Sequence, residues 1–276
     1  MQDKIKILFV GDVVGQLGRA MFQKHIPLLK RQYKLDSVIV NGENSHSSGR
    51  GITPKIVKFF RQNGADAITT GNHIWARKEI YSYLAEHNDV LRPANFPSTC
   101  PGVGVTTFKV NDIVIGVINL QGRIFMKEFV EDPFKTAESI LTYLKSKTNI
   151  ILVDMHAEAT SEKIGIAYYL DGKVSAVVGT HTHVQTADER ILPHGTAFIS
   201  DLGFCGAYNS MIGMRKETVL QTFLTQMPSK FEVDINPPGI LCAVLIEINL
   251  KTGKTTDIER IQIIDDEISV ESIDSE

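Results

Sequence analysis

Short apolar, β-branched runs alternate along this chain with longer stretches whose apolar positions recur at helical spacing. Ile5 to Val10 reads as a buried strand ended by Gly11-Asp12, and a helix-period stretch follows from about Leu17 to Gln32. Ser37 to Val40 is again apolar and ends in Asn41-Gly42-Glu43-Asn44. Pro54 to Gln62 reads as a helix with Pro in its first turn, Ala65 to Thr69 as a third strand ended by Gly71-Asn72-His73, and Lys78 to Glu86 as another helix. This rhythm predicts an α/β chain with a mainly parallel sheet covered on both faces.

The middle changes character. Val103 to Val110 and Ile113 to Leu120 flank Asn111-Asp112, a pair that tolerates the φ > 0 turn of a hairpin. Pro133 to Lys145 is helical in pattern, Asn149 to Val153 is a strand delivering Asp154 and His156, and Ser161 to Leu170 is a helix. Ser175 to Val178 is the strand that leads into Gly179 to His183, GTHTH. Strands at Thr196 to Ile199, Ile240 to Asn249 and Thr256 to Ile264 join the hairpin in an expected second sheet beside the first. The acidic tail from Asp265 to Glu276 is expected to fray, and the whole of 1–276 to form one domain.

Composition narrows the class. With 276 residues, 43% of them hydrophobic, and a formal net charge of -3, the chain has ample material for a large core. The near balance of 29 basic and 32 acidic residues gives no bulk attraction to nucleic acid. Cys100, Cys205 and Cys242 are odd in number and far apart, which suits a reducing compartment. The opening MQDKIKILFVGD is too short an apolar run for a signal peptide or membrane span, so the expectation is a cytoplasmic protein with no membrane partner.

The chemistry collects at strand ends. Asp12 follows the first strand, Glu43 and Asn44 the second, Asn72 and His73 the third, His156 a later one, and His181 with His183 the next. Each has a plainer reading: Asp12 or Asn72 as a helix N-cap, Glu43 as a surface carboxylate, His156 as a satisfied core histidine, and the HxH pair as ordinary surface or hydrogen-bonded imidazoles. Together they are harder to dismiss. In an open parallel sheet the carboxyl ends of the strands share one edge, where ligands bind, so these segments converge on a candidate metal site. His25, His46, His87 and His194 take the plainer reading, although His46 lies in the loop Ser45 to Gly51 close to the site in sequence.

These motifs resemble a known family. GDVVG at Gly11, GEN at Gly42, GNH at Gly71, DMHAEATSEK from Asp154 and GTHTHVQTAD from Gly179 are similar to the calcineurin-like metallophosphoesterases, and more closely to their YmdB branch of bacterial phosphodiesterases. The likeness covers nearly the whole chain. GNH and GTHTH are common to the superfamily, whereas GEN and HAEATSEK mark the branch. Two departures from the general pattern belong to that branch: Asp12-Val13-Val14 lacks the usual histidine, with Asn44 supplying the lost ligand, and Glu43 replaces the bridging aspartate.

The resemblance implies a four-layer αββα sandwich of two packed sheets flanked by helices. It implies one metal ion held by Asp12, Glu43, Asn44 and His183, and a second by Glu43, Asn72, His156 and His181, with Glu43 bridging. Mixed imidazole, carboxylate and amide donors suit borderline first-row metals; the likeness favours iron or manganese, with zinc or cobalt as further candidates. It implies hydrolysis of cyclic nucleotides, 2′,3′-cyclic nucleotides included, with metal-activated water attacking and His73 as proton donor to the leaving oxygen. A phosphomonoesterase, an RNA phosphodiesterase and a regulatory metal-binding protein with little turnover are the alternatives.

Several further residues stay open at this level. Arg50 and Arg123 could contact a phosphate or simply face solvent. Glu158, Thr160, Ser161 and Lys163 could orient His156 or only start the helix beside it. Apolar residues in Phe204 to Met214 and Ile124 to Phe129 could be lids over the site or contacts in a homo-oligomer.

Overall fold

The computed structural model describes residues 3–271. Its elements are, in order, β1 (Lys4–Val10), β2 (Asp12–Val13), α1 (Gly15–Tyr33), β3 (Ser37–Asn41), α2 (Pro54–Gln62), β4 (Ala67–Thr69), α3 (Ile80–Glu86) and β5 (Val90–Leu91). Next come β6 (Val105–Val110), β7 (Ile113–Gln121), α4 (Pro133–Leu144), β8 (Ile151–His156), α5 (Thr160–Leu170) and β9 (Ala176–Thr180). The chain continues through β10 (Arg190–Ile191), β11 (Ala197–Ile199), β12 (Phe204–Ala207), α6 (Lys216–Thr225), β13 (Gly239–Asn249) and β14 (Thr255–Asp265). Local signals explain several starts. Thr53 accepts from the Ile56 amide at the head of α2, and Asp132 from the Phe134 and Lys135 amides at the head of α4; a proline follows each cap.

Two sheets stack face to face. One runs β2-β12-β13-β1-β3-β4-β5, with β14 on the other edge of β13; the second runs β10-β11-β9-β8-β7-β6. Strand alternation divides the apolar side chains into three layers of core. Ile5, Ile7 and Phe9 of β1 point into the space between the sheets, where they meet Val117, Leu152 and Val178 of the second sheet. Leu8 and Val10 point the other way, onto Leu17, Phe22 and Ile26 of α1 and Phe60 of α2. On the far side, Val153 and Met155 of β8 pack against Leu141 of α4 and Ile166 of α5. Helices, sheet, sheet, helices: the expected αββα order holds.

Three expectations need correction. Ile240 to Asn249 and Thr256 to Ile264 belong to the first sheet, not the second: β13 runs antiparallel to β1, with Ile7 opposite Ile246. A strand buried on both faces fits any interior position, so its own pattern does not select its neighbour. Phe204 to Ala207 is a strand rather than a lid loop, paired with Asp12-Val13 on one side and β13 on the other. Within the acidic tail, Asp265 ends β14 and accepts from His25 and Lys24, and Ile268 is buried. Residues 272–276 of that tail lie outside the described residues.

Candidate functional site

The strand-end residues do meet, but at a rim built by both sheets. Asp12, Glu43 and Asn72 follow β1, β3 and β4 of the first sheet, and His156 and His181 end or follow β8 and β9 of the second. The plainer readings fall away for several of them. The N-cap position of α1 is Val14, with no side-chain cap, so Asp12 is not a capping residue, and Glu43 is 1% exposed rather than a surface carboxylate. Glu43, His156 and His181 offer ligand atoms that all lie within 4.8 Å of one another.

Two sets of candidate donor atoms lie close together. In the first, His156 Nε2 lies 3.1 Å from Glu43 Oε1, 3.1 Å from Asn72 Oδ1 and 3.1 Å from His181 Nδ1. Donors held at about 2.1 Å by one first-row cation sit roughly 3 Å from their neighbours, so this spacing fits a shared ion. In the second, His183 Nε2 is 3.9 Å from Asp12 Oδ1. Asp12 Oδ1 and Asn44 Oδ1 are both buried with no hydrogen-bond partner among the described residues, a costly state for a polar atom unless something binds it.

Each histidine turns one nitrogen inward, because its outer nitrogen has a partner of its own. Thr180 Oγ1 donates to Asp154 Oδ1 at 2.7 Å, so its oxygen is free to accept the His156 Nδ1 proton at 2.9 Å. Asp154 is itself locked, accepting from Asn41 at 3.1 Å and Thr69 at 2.5 Å. His181 Nε2 reaches Glu158 Oε2 at 3.2 Å, leaving Nδ1 toward the cluster. His183 Nδ1 donates to the Ile212 carbonyl at 2.9 Å and its ring stacks on Phe204.

Charge tells the same story. Burial would lower the His156 pKa, but Glu43, Asp12 and Asp154 outweigh it and raise it to about 9. Burial likewise opposes ionisation of Glu43, yet His156 and His73 hold that carboxyl well below its usual range. His181 is pushed down to about 3 by burial and by neighbouring His156, while burial drives Asp12 well above the usual carboxylate value. A proton on one nitrogen satisfies only part of this set; cations among the inward donors would satisfy all of it. The residues present therefore fit a metal centre.

His73 stands beside this set. Asn44 Nδ2 lies 3.2 Å from His73 Nδ1 and also donates to the Gly49 carbonyl at 2.8 Å. The same Nδ1 lies 3.4 Å from Glu43 Oε1, so the ring is held between the Asn44 amide and that carboxylate. The His73 amide donates to Glu43 Oε2 at 3.1 Å, which ties the backbone of His73 to that carboxylate.

A buried ion pair holds the GTHTH turn. Lys163 Nζ donates to Asp201 Oδ2 at 2.7 Å, and the same oxygen takes the Thr182 amide at 3.0 Å and hydroxyl at 2.8 Å. Either side of Thr182, His181 and His183 have φ of 100° and 64°, a region that costs a non-glycine residue about 1–3 kcal/mol unless the surroundings impose it. Lys163 thus anchors the turn rather than His156, and it is Glu158 that touches a candidate ligand, His181. Arg123 is tied to Asp132 at 3.4 Å, and His46 Nδ1 lies 3.0 Å from the Ser48 hydroxyl in its loop. Thr180, Asp201 and the Ile212 carbonyl escape the sequence reading: they look like ordinary strand or loop residues, whereas Asp154 is named there only as delivered by its strand beside His156.

Comparison with known proteins places the chain in a family. The model of the YmdB-like protein family matches residues 8–261. The 2′,3′-cyclic-nucleotide 2′-phosphodiesterase of Bacillus subtilis (strain 168) is 48% identical over 267 residues, spanning 97% of this chain and 100% of that protein. Among solved structures, a novel phosphatase of Mycoplasma pneumoniae superposes with a TM-score of 0.89 at 35% identity, covering 96% of this chain and 95% of its own. A hypothetical protein of Thermus thermophilus does so with a TM-score of 0.87 at 37% identity, covering 95% and 100%. On the family match and the near full-length identity, the chain belongs to the YmdB-like family.

Proposed function

We propose that this chain is a dinuclear metal-dependent phosphodiesterase that opens 2′,3′-cyclic nucleotides. The observation that supports the reading is that Glu43, Asn72 and His181 each lie 3.1 Å from His156 Nε2, with His183 Nε2 3.9 Å from Asp12 Oδ1 nearby. Asp12, Glu43, Asn44 and His183 would hold one ion; Glu43, Asn72, His156 and His181 would hold the other. Bound there, the ions supply Lewis acidity, acidifying water and neutralising phosphoryl oxygens for in-line displacement. This mixed donor set suits iron, manganese, zinc or cobalt alike, and the family likeness favours iron or manganese.

The chain's own residues do the rest. Water attacks phosphorus, the bond to one ribose oxygen breaks, and that oxygen needs a proton. His73, held at Nδ1 between Asn44 and Glu43, is the imidazole placed to supply it. The Bacillus subtilis relative is named a 2′,3′-cyclic-nucleotide 2′-phosphodiesterase; breaking the bond to the 2′ oxygen here puts the His73 proton on that oxygen and yields the nucleoside 3′-phosphate. The Asp154–Thr180–His156 relay fixes a tautomer, and the Asp201 clamp holds the turn that carries His181 and His183.

The test is elemental analysis of protein purified without added metal, paired with hydrolysis of 2′,3′-cyclic AMP before chelation, after it, and after reloading with iron or manganese. Two ions per chain and a rate that disappears and returns with them support the reading. Full hydrolysis by the chelated protein, or a monoester preferred over the cyclic diester, refutes it.

A further inference from the structure

Beside the metal-ligating rim runs a groove of about 790 Å³ whose lining includes Arg50, Arg77, Lys230 and Phe231. Its walls continue the site. The Arg50 loop follows Asn44 and is fastened to it through the Gly49 carbonyl; Arg77 follows the turn after His73; and Met214, on a third wall, lies just beyond Ile212, which accepts from His183. Arg77 binds the Arg50 carbonyl and the Ser48 hydroxyl, so two walls are locked together. Glu232 is the one acidic residue of the lining, and Arg215 pairs with it at 3.2 Å. The groove is therefore cationic on a chain whose net charge is -3.

A 2′,3′-cyclic mononucleotide carries one phosphate, and the proposed mechanism places it at the metals. Nothing in such a substrate would answer three cationic side chains farther along. The next phosphate towards the 5′ end of an RNA would. The volume agrees, since pockets for small ligands begin at roughly 300 Å³ and this groove has space for more than one nucleotide. Phe231, 41% exposed, offers a face on which a base can stack without regard to sequence.

We propose that the groove binds the nucleotides preceding a 2′,3′-cyclic phosphate at the 3′ end of a short RNA, so that oligoribonucleotide ends, and not only free mononucleotides, are substrates. The inference rests on the phosphodiesterase reading above. Deoxyribonucleotide ends lack the 2′ oxygen the cyclic ester needs and are excluded.

The experiment compares 2′,3′-cyclic AMP with an adenosine trinucleotide ending in a 2′,3′-cyclic phosphate, in the metal-loaded parent and in an Arg50→Ala, Lys230→Ala double variant. In parallel, fluorescence anisotropy follows binding of a 5′-labelled trinucleotide 3′-phosphate. The parent is expected to favour the trinucleotide by about tenfold or more in kcat/KM, consistent with one stacked base and added phosphate contacts. The double variant should lose that preference, keep its rate on cyclic AMP within about twofold, and bind the labelled trinucleotide roughly tenfold more weakly. Equal kcat/KM on both substrates in the parent, or equal losses on both in the variant, overturns the proposal. If cyclic AMP is not hydrolysed at all, the phosphodiesterase reading fails separately, and anisotropy still decides the groove: no trinucleotide binding, or binding indifferent to the substitutions, refutes it.

Discussion

Gly71→Ala is a one-methyl test of the proposed centre. A Cβ at Gly71 would lie 2.2 Å from His156 Cδ2 and Nε2 and 2.5 Å from Glu43 Oε2, where non-bonded carbon contacts settle near 3.5–4.0 Å. None of these atoms yields easily: His156 is fully buried with Thr180 Oγ1 2.9 Å behind it, and Glu43 is 1% exposed. Relief therefore requires a shift of about 1 Å in Asn72, His156 or Glu43, all donors of one group. Overpacking of this kind costs about 1–3 kcal/mol, and a displacement of about 1 Å at reacting groups costs roughly 10² in rate. Gly165→Ala in α5 is the control, since its Cβ would meet only Phe134 Cζ of α4 at 3.6 Å and should be neutral or stabilising by up to about 1 kcal/mol. Both variants go through metal analysis, cyclic AMP kinetics and urea unfolding. The expected result is a Gly71→Ala protein that folds, carries less than the parent's metal and turns over about 10² more slowly. Parent-like metal content and rate would refute the placement of Asn72 and His156 around a shared ion.

Other expectations follow from the same contacts. His73→Ala should retain both ions by elemental analysis while kcat for 2′,3′-cyclic AMP falls by about 10² or more, the range for a lost general acid; an unchanged kcat would remove His73 from the chemistry. Thr180→Val keeps the shape but deletes the hydroxyl between Asp154 and His156, so metal affinity, read by competition with a chelator, should weaken roughly 10- to 100-fold. Asp201→Ala leaves the Lys163 ammonium buried and alone, and should cost about 3–5 kcal/mol in urea unfolding; a loss below about 1 kcal/mol would mean the clamp is not a stabilising feature. Burial opposes ionisation of Asp171, Asp188 and Asp265, but His194 and Thr196, then Ser200 and Thr186, then Lys24 and His25 overcome it and lower all three pKa values. The folded state then binds fewer protons than the unfolded state near the ordinary value of 3.8, so this stability is present above it and lost as pH falls through the depressed values. Urea midpoints that stay level from pH about 5 to about 3 would contradict that assignment.

How much of this the chain displays in advance depends on what kind of group carries each role. Polar residues stationed directly after buried strands are conspicuous, because an apolar run ending in Asp, Glu-Asn or Asn-His breaks the pattern of a core strand. That is why Asp12, Glu43, Asn44, Asn72 and His156 can be singled out before any coordinates. The assumption that one parallel sheet gathers them is where pattern reading fails. Val244, Ile246 and Ile248 of β13 face the space between the sheets while Leu241, Ala243 and Leu245 face the helices, and a strand apolar on both faces carries no label for its neighbour. The site is consequently a seam between two sheets.

The groups that turn histidines into candidate ligands are less visible still. What prepares His183 is the carbonyl of Ile212, and every residue owns a carbonyl, so no side-chain pattern announces it. Thr180 looks like a β-branched strand residue, which it is; its hydroxyl matters only because Asp154 takes the proton and leaves the oxygen to accept from His156. Asp201 and Lys163 read as a loop aspartate and a helix lysine, 38 positions apart, until the fold buries both against Thr182. A sequence can nominate atoms that bind a cation, whereas the tautomer that leaves those atoms bare is set by partners whose chemistry is ordinary and whose position is not. The Thr180→Val and Gly71→Ala experiments separate these two layers, one loosening the orientation of a donor and the other displacing it.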